Sequence, residues 1–129
     1  MARPKLPRPT DAELEILNVL WRRGPSTVRE VHDEISKTKT TGYTSVLKVM
    51  QIMGGKGLVE REERQRLHVY RATAAEEETQ GALVRDLLER AFGGSAAKLV
   101  MQALSSERAS DEDRDMIRKM LDEYEENER

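Results

Sequence analysis

The chain has 129 residues, 36% of them charged and 4% aromatic, with no cysteine and a formal net charge of −2. That length allows one domain or two small ones around an aliphatic core. The lack of cysteine excludes disulfides, thiolate metal sites and cysteine catalysis. No apolar run approaches the ~20 residues that span a bilayer and the start lacks an apolar signal core, so the expectation is a soluble cytoplasmic protein with no membrane partner.

The charge is unevenly divided. Residues 1–73 hold 14 Lys/Arg against 9 Asp/Glu, net +5, and residues 74–129 hold 8 against 15, net −7. A basic front half suits a polyanion that an acidic back half would repel, which suggests two parts with two jobs, 1–73 and 74–129. An acidic, solvated helical face accounts for the back half equally well.

In chain order, residues 1–9, MARPKLPRP, form a basic, proline-rich arm, suited to tracking phosphates or simply to disorder. Thr10 and Glu13 have the spacing of a capping box, which starts a helix running to about Arg23 with Leu14, Leu17 and Trp21 on one stripe. Gly24-Pro25 stops it, with Gly24 expected in the left-handed region. Ser26 or Thr27 caps a second helix through about Ser36, anchored by Val28, Val31 and Ile35. Residues 37–42 are a turn.

A third helix follows and ends among the glycines at 54, 55 and 57. On a helical wheel of about 100° per residue, Tyr43, Val46, Leu47, Val49, Met50 and Met53 share one broad face. Thr44, Ser45, Lys48, Gln51 and Ile52 occupy the other, with Lys48 near its centre. Small hydroxyls, an amide and a cation without any carboxylate are the groups that hydrogen-bond phosphates and base edges. An ordinary solvated helix face is the plainer reading of this helix taken alone.

The hydrophobic period then shortens from about 3.6 toward 2. Residues 58–63 and 67–72 are read as the strands of a hairpin, with Arg64, Gln65 and Arg66 between them. That tip lacks the Gly or Asn a tight turn prefers. From residue 73 to about 92 a long helix carries a stripe that includes Leu87 and Phe92. Ser95 caps a helix bearing Leu99 and Leu104, and Ser110 with Asp113 starts a last helix to about Glu126, striped by Met116, Ile117, Met120, Leu121 and Tyr124. Three short helices with one-sided stripes enclose little volume, and a second copy of the chain is the cheapest surface to cover them. Leu87, Leu99 and the last helix's stripe are therefore the expected dimer contacts.

Helix, helix, turn, helix and hairpin within about 70 residues is the order of a winged helix. The fold class is mostly α with a small β-hairpin: a winged helix-turn-helix followed by a C-terminal helical dimerisation region. The third helix would enter a major groove through Tyr43, Thr44, Ser45, Lys48 and Gln51, and Arg64 and Arg66 at the wing tip would meet phosphates.

The sequence also resembles the BlaI/MecI penicillinase-repressor family of bacterial winged-helix transcription regulators. The matching stretches are PTDAELEILNVLW (9–21), GPSTVREVHDEI (24–35), YTSVLKVM (43–50), KGLVERE (56–62), VYRA (69–72) and AFGGSAAKLV (91–100). The resemblance implies a homodimeric repressor of dyad-symmetric operator DNA, held together by its C-terminal helices. It departs from the family at Ile52, usually Arg there, where the isoleucine could instead meet a thymine methyl. Where the family wing commonly has Gly, this chain has Gln65. The family's sensor-linked protease cuts an Asn-Phe pair, and Gln102-Ala103 stands at the aligned position, so that site is not carried over even though a protease or sensor partner stays open. The cysteine cluster of copper-responsive relatives is absent.

Catalysis finds no support. His32 and His68 have no nucleophile motif or second metal ligand at a suitable spacing, and Gly54-Gly55-Lys56-Gly57 precedes a strand instead of following one, the wrong order for a phosphate loop. No cofactor or metal is expected. The alternative is a winged helix that binds protein and not DNA.

Overall fold

The computed structural model describes residues 8–128, so residues 1–7 of the expected basic arm lie outside it. The elements run α1 (Asp11–Arg23), α2 (Val28–Ser36), α3 (Tyr43–Lys56), β1 (Val59–Arg64), β2 (Leu67–Ala72), α4 (Glu76–Ala91), α5 (Ala96–Ser105) and α6 (Asp111–Asn127). The expected fold class, helical with one antiparallel hairpin, is what forms. Two compact units divide between Leu83 and Val84, inside α4 and beyond the boundary at residue 73 that charge suggested.

In the first unit the helix starts follow from short polar side chains. Thr10 accepts from the Glu13 amide at 3.2 Å while Glu13 accepts from the Thr10 amide at 2.8 Å, and Thr27 and Glu30 repeat this capping box at α2. Gly24 leaves α1 at φ 90°, ψ −170°. That is positive φ with extended ψ, open essentially to glycine, and not the left-handed helical conformation expected of it.

The apolar stripes meet in one core. Ile16, Leu17 and Leu20 of α1, Val31 and Ile35 of α2, and Val46, Met50 and Met53 of α3 are all buried, together with Val59 and Tyr70 of the hairpin. Truncating a fully enclosed side chain such as Met50 to Ala would cost ~2–5 kcal/mol in lost transfer energy and residual cavity.

Two polar devices fix α3 and the hairpin on this core. Ser26, fully buried, exchanges backbone hydrogen bonds with Tyr70 at 2.9 and 2.8 Å, which pairs the loop before α2 with β2. Glu13, 2% exposed, takes the Lys56 ammonium at 3.0 Å from each carboxylate oxygen, tying the start of α1 to the last turn of α3. Burial pushes the Glu13 carboxyl up, but the Thr10 amide and hydroxyl and the Lys56 charge together hold it below its ordinary value.

In the second unit Ser95 caps α5, Ser110 and Asp113 form the capping box of α6, and an Arg114 guanidinium N–H donates to the Leu104 carbonyl at 3.2 Å. No residue of α5 or α6 is buried.

Candidate nucleic-acid interface

The outward face of α3 is polar and free of acid. Thr44, Ser45, Lys48, Gln51 and Ile52 are exposed, whereas Val46, Met50 and Met53 on the reverse are buried. The split follows the wheel, with one difference: Tyr43, grouped with the apolar face, is 39% exposed. It stands at the first position of α3.

The start of α3 also differs from those of its neighbours. Gly42 supplies no side-chain cap and the first turn has no acidic residue, whereas α1 and α2 each have a capping box and an acid there. The positive end of the α3 dipole is therefore not neutralised by a cap or an acid of its own first turn.

The hairpin joins Val59 to Ala72 and Arg64 to Leu67 in register, leaving a tip of two residues, Gln65 and Arg66. Both have positive φ, 51° and 68°, the signature of a type I′ turn. The tight turn forms without its usual Gly or Asn, with a glutamine and an arginine held in a region costing ~1–2 kcal/mol per residue for an L side chain. The result sets the Arg66 side chain at the extreme of the wing.

Ion pairing sorts the cations. In the first unit Arg22, Arg23, Lys37, Lys39, Lys56, Arg64 and Arg71 each lie against a carboxylate. Four described cations there make no ion pair: Arg29, Lys48, Arg61 and Arg66. They lie on α2, on the outward face of α3, and on the wing. Of the two arginines expected at the tip, Arg66 is unpaired, while Arg64 contacts Glu62 on its own strand. A cation already neutralised has less charge to offer a polyanion, so Arg66 is the stronger of the pair.

Sequence reasoning missed Arg61 and Arg29. Strand alternation places Arg61 on the face of β1 that carries buried Val59, facing α3, and with Gln51, Gly54 and Tyr70 it lines an open cleft of about 630 Å³ between α3 and the wing. The alternation is legible in the sequence, and following it two residues past Val59, to the next position on the same face, identifies Arg61. Arg29 carries no motif. Its guanidinium lies 4.9 Å from the centre of the Tyr43 ring, a tertiary contact invisible in the sequence.

Of the two histidines, His32 is a packing residue: its Nε2 donates to the Thr41 carbonyl at 2.8 Å, and its ring meets Tyr43 edge-on at 6.1 Å. His68 is exposed on β2.

In the second unit, Leu87, Met116, Met120, Leu121 and Tyr124 are exposed, and Leu99 and Ile117 are partly covered. Tyr124 retains 71% of its surface and Met116 57%. The stripe exists, and within one chain it stays open to solvent.

A model of the penicillinase repressor family matches residues 9–123. The chain is 34% identical over 124 residues to the transcriptional regulator BlaI of Mycobacterium tuberculosis, covering 94% of this chain and 88% of that protein. It is 26% identical over 120 residues to the penicillinase repressor of Bacillus licheniformis, covering 93% and 94%. Among solved structures it is similar to the solution structure of the monomeric form of Bacillus licheniformis BlaI in complex with the blaP half-operator. That match has a TM-score of 0.51 and 30% identity, and it covers 57% of this chain and 90% of that one. The resemblance read from the motifs is borne out.

Proposed function

We propose, from the premise that this chain belongs to the penicillinase repressor family, that it is a homodimer occupying a dyad-symmetric operator with one winged helix on each half-site. The chain is a transcriptional repressor of that family and not an enzyme. The finer reading rests above all on one coincidence: Lys48, Arg61 and Arg66, three of the four described cations of the first unit left without an ion pair, line α3 and the wing beside an acid-free helix face.

Thr44, Ser45, Lys48 and Gln51 face base edges in the major groove, with Tyr43 at the rim. Ile52, 46% exposed on the same face, suits the one apolar feature of that groove, the thymine methyl. Arg66, Arg61 and the partly neutralised Arg64 meet phosphates, as does the open N-terminus of α3.

The dimer is carried by the second unit. Leu87, Leu99, Met116, Ile117, Met120, Leu121 and Tyr124 are apolar groups that one chain leaves in water, and pairing with a second copy covers them. Two half-sites bound by linked winged helices gain ~10²–10⁴-fold from effective concentration. Any event that parts the C-terminal helices, whether cleavage, a wedged ligand or acidification, would release the DNA without touching the reading face. Gln102 and Ala103 are exposed in α5, although they do not match the Asn-Phe pair that the family resemblance implies for cleavage.

The test is binding of the full chain to duplex DNA at two salt concentrations. A duplex-binding repressor loses affinity steeply as salt rises, whereas a winged helix that serves as a protein adaptor shows no such slope.

A further inference from the structure

We infer that Arg29, on α2 and outside the recognition helix, grips a backbone phosphate and is held ready for it by the Tyr43 ring; this rests on the DNA-binding reading above. Its guanidinium sits 4.9 Å from the ring centre. Among the described residues it has no carboxylate partner and donates no hydrogen bond. A carboxylate is nonetheless near in sequence. Asp33 lies one helical turn on, at the i,i+4 spacing that favours an ion pair, but it stands 3.6 Å from the Nδ1 of His32.

The distinction between the two kinds of partner matters. A carboxylate would cancel the arginine's charge, while an aromatic face fixes the side chain and leaves the full charge and the N–H donors available. The ring is itself fixed. His32 meets it edge-on at 6.1 Å and 72°, and the same histidine donates to the Thr41 carbonyl just before α3 at 2.8 Å. The side chains of α2 thus lock the first residue of α3, and that residue locks Arg29. An arginine already stacked has given up part of its rotamer freedom before DNA arrives, which lowers the entropic cost of gripping a phosphate.

Its position selects phosphate over base. Arg29 projects from α2 beside the first turn of α3, at the flank of the reading face, where backbone contacts set register without reading sequence. Tyr43 is then a positioning residue for Arg29 in addition to standing at the rim of the groove.

The experiment titrates the full chain against duplexes of unrelated sequence across a salt series, using the wild type, Arg29→Ala, Tyr43→Ala and the double variant. Arg29→Ala should flatten the slope of log K against log salt by about 0.9 and weaken all duplexes by a common factor. Tyr43→Ala should cost less affinity in the Arg29→Ala background than in the wild type. An unchanged slope for Arg29→Ala, on a wild type that binds with a steep one, overturns the inference and leaves the DNA-binding reading standing. Losses restricted to certain sequences overturn it too, by moving Arg29 to base edges. Full additivity of the two changes removes the positioning role of Tyr43. A wild type without any salt-dependent duplex binding defeats the DNA-binding reading, and the inference with it.

Discussion

Replacing Arg66 by Gly should stabilise the fold and weaken DNA binding together. Arg66 sits at φ 68°, next to Gln65 at φ 51°. An L side chain in that region carries ~1–2 kcal/mol of steric cost that glycine does not. Glycine also gives the unfolded chain more freedom, which returns ~0.4–1 kcal/mol. The net expectation is a gain of ~0.5–1 kcal/mol, or ~2–8 °C in melting temperature for a unit of this size. The gain should reach the whole first unit, because the hairpin's Val59 and Tyr70 are part of its core and β2 is bonded to Ser26. The same substitution removes an unpaired cation from the wing, so the salt slope of duplex binding should fall by about 0.9. Calorimetry and an anisotropy titration on one preparation read both effects. A lowered melting temperature would refute the strain argument, and an unaltered salt slope would refute the phosphate contact.

Met120→Asp or Leu121→Asp should convert the proposed dimer to monomers, since each sets a charge in an exposed apolar stripe that a second copy would cover; light scattering at micromolar concentration reads this, and a monomeric wild type would end the dimer account. Lys48→Ala and Gln51→Ala should relax preference at particular base pairs by ~1–3 kcal/mol each; equal losses on operator and random DNA would move them to the phosphate class. Lys56→Met should destabilise the first unit by ~1–3 kcal/mol at neutral pH, below the figure for fully enclosed pairs because Lys56 keeps 40% of its side chain in solvent. Glu13 is held below its ordinary value when folded, so its contribution is complete above the unfolded-state value and is lost as pH falls through the folded one. The difference between wild type and Lys56→Met in chemical denaturation should accordingly shrink with acidification, and a constant difference would show that the pair is not what the mutation removes.

Local rules made much of the fold legible. Thr10 with Glu13 and Ser110 with Asp113 announced helix starts that form as capping boxes, because their bonds span only three residues. The stripe of α3 separated buried Met50 and Met53 from exposed Lys48 and Gln51, because a helix wheel needs no tertiary knowledge. The wing tip was harder. Its strained turn contradicts turn propensity, and it is imposed by strands whose register is pinned at the other end by Tyr70, Val59 and Ser26. Charge was the least legible property. Arg64 and Arg66 look alike in sequence, but side-chain packing against Glu62 neutralises one and spares the other. The contact of Arg29 with Tyr43 lies beyond any periodicity, since it depends on how α2 and α3 pack.

The central claim is that two linked winged helices read one dyad. Selection of bound sequences from random duplex by the full chain tests it most directly. The account predicts enrichment of a palindrome whose half-sites lie about one helical turn apart, ~34–36 Å between centres, or a multiple of that. Recovery of a single unrepeated half-site, or of no enriched sequence, would contradict it.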